Sequence, residues 1–221
     1  MKYVRFAIAV TALYLFSCNH HKEAAVKENT TIPLKSSGTS SDKGEIQTLI
    51  RKVLNWSESK KSSIDLLPAL TDDKDSSYIG FDLEKLKANL EKLKSTNFFS
   101  SGFIDNYNQI ILTLDKKLRN KGFDKWQVGD LPTFSFANDV DPWCDCQDNM
   151  SWDLVEVEVI NLNNTKGELY WNWGKPKSDW GAGWKEFKYK FGVEKENGKW
   201  KISYLQGFDF KESTRKDGAA E

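Results

Sequence analysis

The hydrophobic pattern of this 221-residue chain changes period halfway along. Ile46, Leu49, Ile50, Val53 and Leu54 recur every three or four positions and predict a first helix over 44–57, with Trp56 extending its buried face. Leu83, Leu86, Leu90 and Leu93 form a second stripe, which predicts a helix over 82–94 capped by Asp82. Phe103, Ile104, Tyr107, Ile110, Ile111, Leu114 and Leu118 predict a third helix over 101–120. Asn120 and Gly122 sit where it should end, and Lys116, Lys117 and Arg119 suit its negative C-terminal pole. Between the first two helices, Leu66, Leu67 and Leu70 bracket Pro68 in a short, irregular, buried stretch. Thr71 to Ser76 reads as a solvated acidic turn, because it lacks the spaced ligands, glycine and final glutamate of a calcium loop.

The second half has period two. Leu131 to Ala137 reads as a first strand. Val155, Val157 and Val159 alternate with Glu156 and Glu158, and Asn163 to Gly167 is a turn. Leu169, Trp171 and Trp173 share one face of the next strand, with Tyr170 and Asn172 on the other. A loop over 174–183 carries Pro176 and Trp180. Phe187, Tyr189, Phe191 and Val193 then alternate with Lys188, Lys190 and Glu194. Asn197-Gly198 is a hairpin signal, and Trp200, Ile202 and Tyr204 share a face of the last strand. The fold class expected is α+β: three N-terminal helices packed on a curved antiparallel sheet of four to five strands, with one polar face.

The ends of the chain differ in character. Lys2 and Arg5 precede an apolar run from Phe6 to Phe16. That run is the length of a signal core, and well short of the roughly 20 residues needed to span a bilayer. Leu15-Phe16-Ser17-Cys18 resembles the lipobox of bacterial lipoproteins. The resemblance implies that residues 1–17 are a signal peptide and that Cys18 carries a diacyl anchor, with membrane lipid as its partner. An ordinary secretory signal that happens to contain a cysteine is the plainer reading. Asn19, rather than aspartate, follows Cys18, which favours the outer membrane of a bacterial cell envelope. Residues 18–43 are polar and read as a lipidated flexible tether, residues 44–210 as one domain, and residues 211–221 as a charged, frayed tail.

Composition narrows the function. Removing residues 1–17 takes Lys2 and Arg5 from 32 basic residues set against 32 acidic ones, so the remaining chain carries a charge of about −2. It has no electrostatic footprint for nucleic acid. Cys144 and Cys146 are either a disulfide across one residue or two separate thiols. His20 and His21 fall in the tether, so the domain has no histidine for a zinc site or a Ser-His-Asp or Cys-His centre. Gly181-Ala182-Gly183 lacks the context of a phosphate loop. Neither a metal nor a cofactor is expected.

The order of helices and strands resembles the nuclear transport factor 2-like cone fold, whose superfamily includes ketosteroid isomerase and scytalone dehydratase. Asp141-Pro142-Trp143-Cys144-Asp145-Cys146-Gln147-Asp148 resembles the Asp-Pro-aromatic-x-Cys-x-Gln-Asp signature of a family of exported bacterial proteins with this fold, one without an assigned reaction. The resemblance implies an open apolar mouth between sheet and helices. Tyr107, Trp143, Trp171, Trp173 and Trp184, with the acids Asp141 and Asp148, are the candidate ligand-binding residues there. Against this, Trp171 and Trp173 also suit a core, and Asp141 before Pro142 suits a turn. A scytalone-type dehydratase would need histidine. An isomerase would need a buried carboxylate facing a donor such as Tyr107. The expectation is a non-catalytic, membrane-anchored envelope lipoprotein that binds a small molecule or an envelope protein. The alternatives are an inhibitor or immunity-type lipoprotein and an isomerase- or dehydratase-like enzyme.

Overall fold

Thr39 and Asp42 start the first helix together. Asp42 donates its amide to the Thr39 hydroxyl at 3.1 Å, and its carboxylate accepts the Thr39 amide at 3.1 Å. This reciprocal capping box begins α1, Ser40–Glu58, ahead of the expected start at Gly44, so the last residues assigned to the tether are helical. The computed structural model describes residues 39–59, 64–175, 177 and 179–217. The signal segment, Cys18, the two histidines and the tether up to residue 38 lie outside the described residues.

The stretch read as irregular forms a hairpin, β1 (Ala69–Asp72) and β2 (Ser77–Phe81), which the apolar pattern did not reveal. Its turn covers only 73–76 of the expected acidic loop, because Thr71 and Asp72 belong to β1. The strands are short and Gly80 interrupts the second, so local alternation is weak. Distant backbone fixes them instead: Tyr78 donates to the Trp126 carbonyl, Val128 to Ser76, and Phe81 to the Asp115 carboxylate at 2.7 Å. A Cβ at Gly80 would lie 2.7 Å from the ends of the Asp115 and Arg119 side chains, which would have to shift to admit it.

Helix α3 (Ser101–Arg119) follows its predicted stripe, and α2 (Leu83–Thr96) buries Leu86 and Leu93 but leaves Leu83, at its first turn, exposed. The Asp82 carboxylate accepts the Glu84 and Lys85 amides at 3.0 Å, as an N-cap should. At the end of α3 the left-handed residue is Lys121, and Gly122 donates back to the Lys117 carbonyl.

Leu131 to Ala137 corrects the strand expected there. Phe134 and Phe136 are buried alternately, as in a strand, but the segment is a loop that ends with Ala137 at φ 53°. It pairs only at isolated points with the C-terminal stretch, where Ser135 donates to Arg215 and Asp217 to Thr133. The same bonds correct the frayed tail over 211–217, and 218–221 lie outside the described residues. A short α5, Phe210–Ser213, follows a 3-10 turn, and Ser213 and Thr214 are buried.

The main sheet is an antiparallel meander of β3 (Glu156–Leu162), β4 (Lys166–Asn172), β5 (Tyr189–Glu196) and β6 (Lys199–Leu205). Register shifts at Val159/Asn161 and Gly192/Val193 interrupt the ladders, which increases local twist. A short α4, Ala182–Glu186, occupies the loop before β5, so Phe187 precedes the strand rather than opening it. Among the described residues the fold is α+β, with five helices and two antiparallel sheets rather than three helices on one. Helices α1 and α3 cover one face of the main sheet. Ile46, Ile50 and Val53 join Phe103, Ile110, Leu169, Phe191 and Ile202 in one buried cluster. Among the described residues, no helix is long and apolar enough to cross a membrane.

Candidate functional site

The segment Asp141–Cys146 folds back on itself. Asp141 donates its amide to the Cys146 carbonyl at 3.0 Å and accepts from the Cys144 and Asp145 amides at 3.1 and 2.7 Å. Its side chain accepts the Trp143 amide at 3.0 Å, the turn role that an aspartate before proline suits. Burial against the turn raises the Asp141 pKa, opposed by that amide bond, although the residue as a whole is exposed. Cys144 and Cys146 are joined as a disulfide with their Cα atoms 5.2 Å apart.

The turn is clamped to the sheet from below. Tyr189 is buried on β5 and donates its hydroxyl to the Pro142 carbonyl at 2.7 Å. The Gly207 amide donates to the same hydroxyl at 2.9 Å. A Cβ on Gly207 would collide with Pro142, so glycine lets the turn seat. The Gln206 amide reaches the Asp145 carboxylate at 3.2 Å. Sequence reasoning did not single out Tyr189, Gln206 or Gly207. Tyr189 and Gln206 reach back 47 and 61 positions to the turn and Gly207 reaches Tyr189 across 18, so no local spacing marks them.

The candidate aromatics do not converge on one open mouth. Trp143 packs at 4.7 Å from Phe208 and 5.6 Å from Phe99, between the turn and the helices. Tyr107 packs at 6.1 Å from Phe208 and donates its hydroxyl to the Leu66 carbonyl at 3.2 Å. Trp171 and Trp173 belong to a second group with Trp152, Phe187 and Trp184. Tyr107, Trp143, Trp171 and Trp173 are all at most 4% exposed, which leaves no face for a ligand to stack on. Trp184 is half-buried at the rim of its group, and Asp148 is exposed on the loop after the turn. The Asp141 carboxylate faces its own turn and Tyr107 faces Leu66, so the two do not make an isomerase pair. Burial pushes the Tyr107 hydroxyl well above the ordinary phenol range.

The opposite, solvent-facing side of the sheet carries a concavity of about 750 Å³. Gly192, Ser203 and Tyr204 line it: the register shift at Gly192/Val193 leaves Tyr204 off the face it was expected to share with Trp200 and Ile202, and Leu205 is buried instead. Lys190 pairs with Glu168 at 3.7 Å and Lys166 with Glu194 at 3.4 Å along its walls. A Cβ on Gly192 would press on the Tyr204 Cβ at 3.1 Å and the Ser203 hydroxyl at 3.2 Å, so glycine keeps the two strands close there. Tyr204 reaches Asp209 at 3.4 Å, and burial beside that acid pushes its pKa up to about 12. The alternation of Lys188, Lys190 and Glu194 revealed a polar face but not its hollow. The hollow forms where the β5–β6 ladder slips at Gly192.

Among the described residues, no group of three or more His, Cys, Asp or Glu is arranged to hold a metal ion. Comparison with protein-family models, with curated proteins and with solved structures gave no match.

Proposed function

We propose that this chain is a bacterial envelope lipoprotein, anchored through acylated Cys18, whose domain is a non-catalytic interaction module. The closed core carries this reading. Trp143, Trp171, Trp173 and Tyr107 are packed into the interior, so recognition falls to the outer surface. The concavity lined by Gly192 and Tyr204 is the natural contact surface there. Its paired lysines and glutamates give it the polar, charge-patterned character of a protein-contact rim rather than of an apolar ligand pocket. The partner class is therefore another envelope protein, as for an inhibitor or immunity-type lipoprotein. Three long helices and a bulged four-stranded meander support the nuclear transport factor 2-like cone as the fold, with its mouth filled by side chains.

Two measurements test this. Labelling cells with an alkyne fatty acid should mark the wild-type chain and not Cys18→Ala. Unchanged labelling or membrane fractionation of the variant would overturn the anchor. A photo-crosslinking residue at Tyr204 should give a discrete adduct in cells, absent when the same residue replaces exposed Leu112 on α3. The same adducts from both positions, or a thermal-shift hit with a small apolar ligand, would overturn the outer-face reading.

A further inference from the structure

We propose that the Cys144–Cys146 disulfide is an exchange-active site that reacts with thiols carried on positively charged chains. This inference goes beyond the interaction-module reading and does not depend on the anchor.

The bond contributes little to holding the turn. It links cysteines separated by 2 in sequence, and the stabilisation from a cross-link grows with the loop it closes. The turn is already closed by the Asp141–Cys146, Cys144–Asp141 and Asp145–Asp141 backbone bonds. It is fixed to the sheet by Tyr189 on Pro142 and by Gln206 on Asp145. The one residue inside the ring, Asp145, sits in the left-handed region at φ 55°.

The two sulfurs are not equivalent. Cys144 is 2% exposed and packs with the core, whereas Cys146 keeps part of its surface open. An incoming thiolate therefore attacks Cys146 Sγ. A new S–S bond forms between the thiol and Cys146, and the Cys144–Cys146 bond breaks. Its electron pair leaves on Cys144, which takes a proton from water. A second thiolate then displaces Cys146 from the mixed disulfide. Two thiols are oxidised to one disulfide, and the protein pair is reduced to two thiols.

Charge selects the thiol. Residues 126–165 contain eight Asp or Glu and no Lys or Arg. Asp139, Asp141, Asp145 and Asp148 are all exposed around the pair. Gln147 and Gln206, which bond Asp139 and Asp145, are neutral, and Arg215, which lines the cleft beside Asp145, is paired with Glu212 at 3.1 Å. A cationic thiol is drawn to this surface and an anionic one is repelled, an effect that salt screens.

The test uses the full chain carrying Cys18→Ala, so that one cysteine pair remains. Reduction by cysteamine, glutathione and dithiothreitol is followed by alkylation and mass spectrometry under native conditions, with circular dichroism in parallel. The pair should be reduced with the fold retained. Cysteamine should react about tenfold faster than glutathione, after normalisation to a simple model disulfide, and the gap should narrow with salt. With Cys144→Ala, Cys146 should form a mixed disulfide with cystamine, the disulfide of cysteamine, at least about tenfold faster than Cys144 does in Cys146→Ala. Reduction only in denaturant, loss of the fold on reduction, or faster reaction at Cys144 would each overturn the proposal. If the single variants fail to fold, the reduction of the intact pair still decides it.

Discussion

The Tyr189 hydroxyl donates to the Pro142 carbonyl at 2.7 Å, tying the middle strand of the sheet to a turn 47 positions earlier. The same oxygen accepts from Gly207, and burial holds its pKa well above that of a free phenol. One phenol thus satisfies a buried carbonyl and a backbone amide at once. Tyr189→Phe leaves both without that partner and should cost about 1–3 kcal/mol, read as a lower urea midpoint at unchanged slope.

Asp42 makes folding acid-sensitive. Lys195 and Trp200 donate to its carboxylate at 2.9 Å, and with Thr39 they hold its pKa well below the ordinary 3.8. A carboxyl depressed on folding stabilises the native state above its unfolded pKa. That contribution is lost as pH falls from about 3.8 toward the lower folded value. Asp42→Asn should lower the melting temperature at pH 7 and flatten its fall below pH 4. Melting curves between pH 2 and 7 check both; a variant whose acid limb still parallels wild type would remove Asp42 from the account.

Gly80→Ala should destabilise by about 1–3 kcal/mol, because the new methyl meets Asp115 and Arg119. The same change should loosen the β1–β2 hairpin, since Asp115 also holds the Phe81 amide. Hydrogen exchange at Phe81 reports that loosening directly. Unchanged protection there would show that the hairpin does not depend on this contact.

The tryptophans should divide by accessibility. Trp171 and Trp173 are sealed in the core, whereas Trp180 and Trp184 are half-buried. Replacing Trp180 and Trp184 with Phe should remove more of the iodide-quenchable fluorescence than replacing Trp171 and Trp173. The opposite order would mean that solvent reaches the interior and that the core is open to ligands. Separately, Trp171→Ala should cost about 3–5 kcal/mol by leaving a cavity.

The stripes on α1, α2 and α3 were legible because each helix buries one face, and that face repeats within a few residues. The Asp82 cap, the acidic turn after β1 and the Asn197-Gly198 hairpin were legible for the same local reason. The turn role of Asp141 could also be weighed from its neighbours alone. The β1–β2 hairpin was not, because backbone groups from Trp126, Val128 and Asp115 decide it. Leu131 to Ala137 alternates like a strand yet lacks a continuous partner, and alternation alone cannot supply one.

The amino-acid order by itself determined the α+β class, the helix faces and the change of period, all set by interactions between near neighbours, and its composition the near-neutral charge balance. It also placed the lipobox-like segment and the two spaced cysteines. Only the tertiary structure decided whether the aromatic candidates line a mouth or fill a core, because burial depends on what arrives from elsewhere in the chain. It likewise decided the clamp of Tyr189 on Pro142, the hollow over Gly192 and the unequal exposure of Cys144 and Cys146.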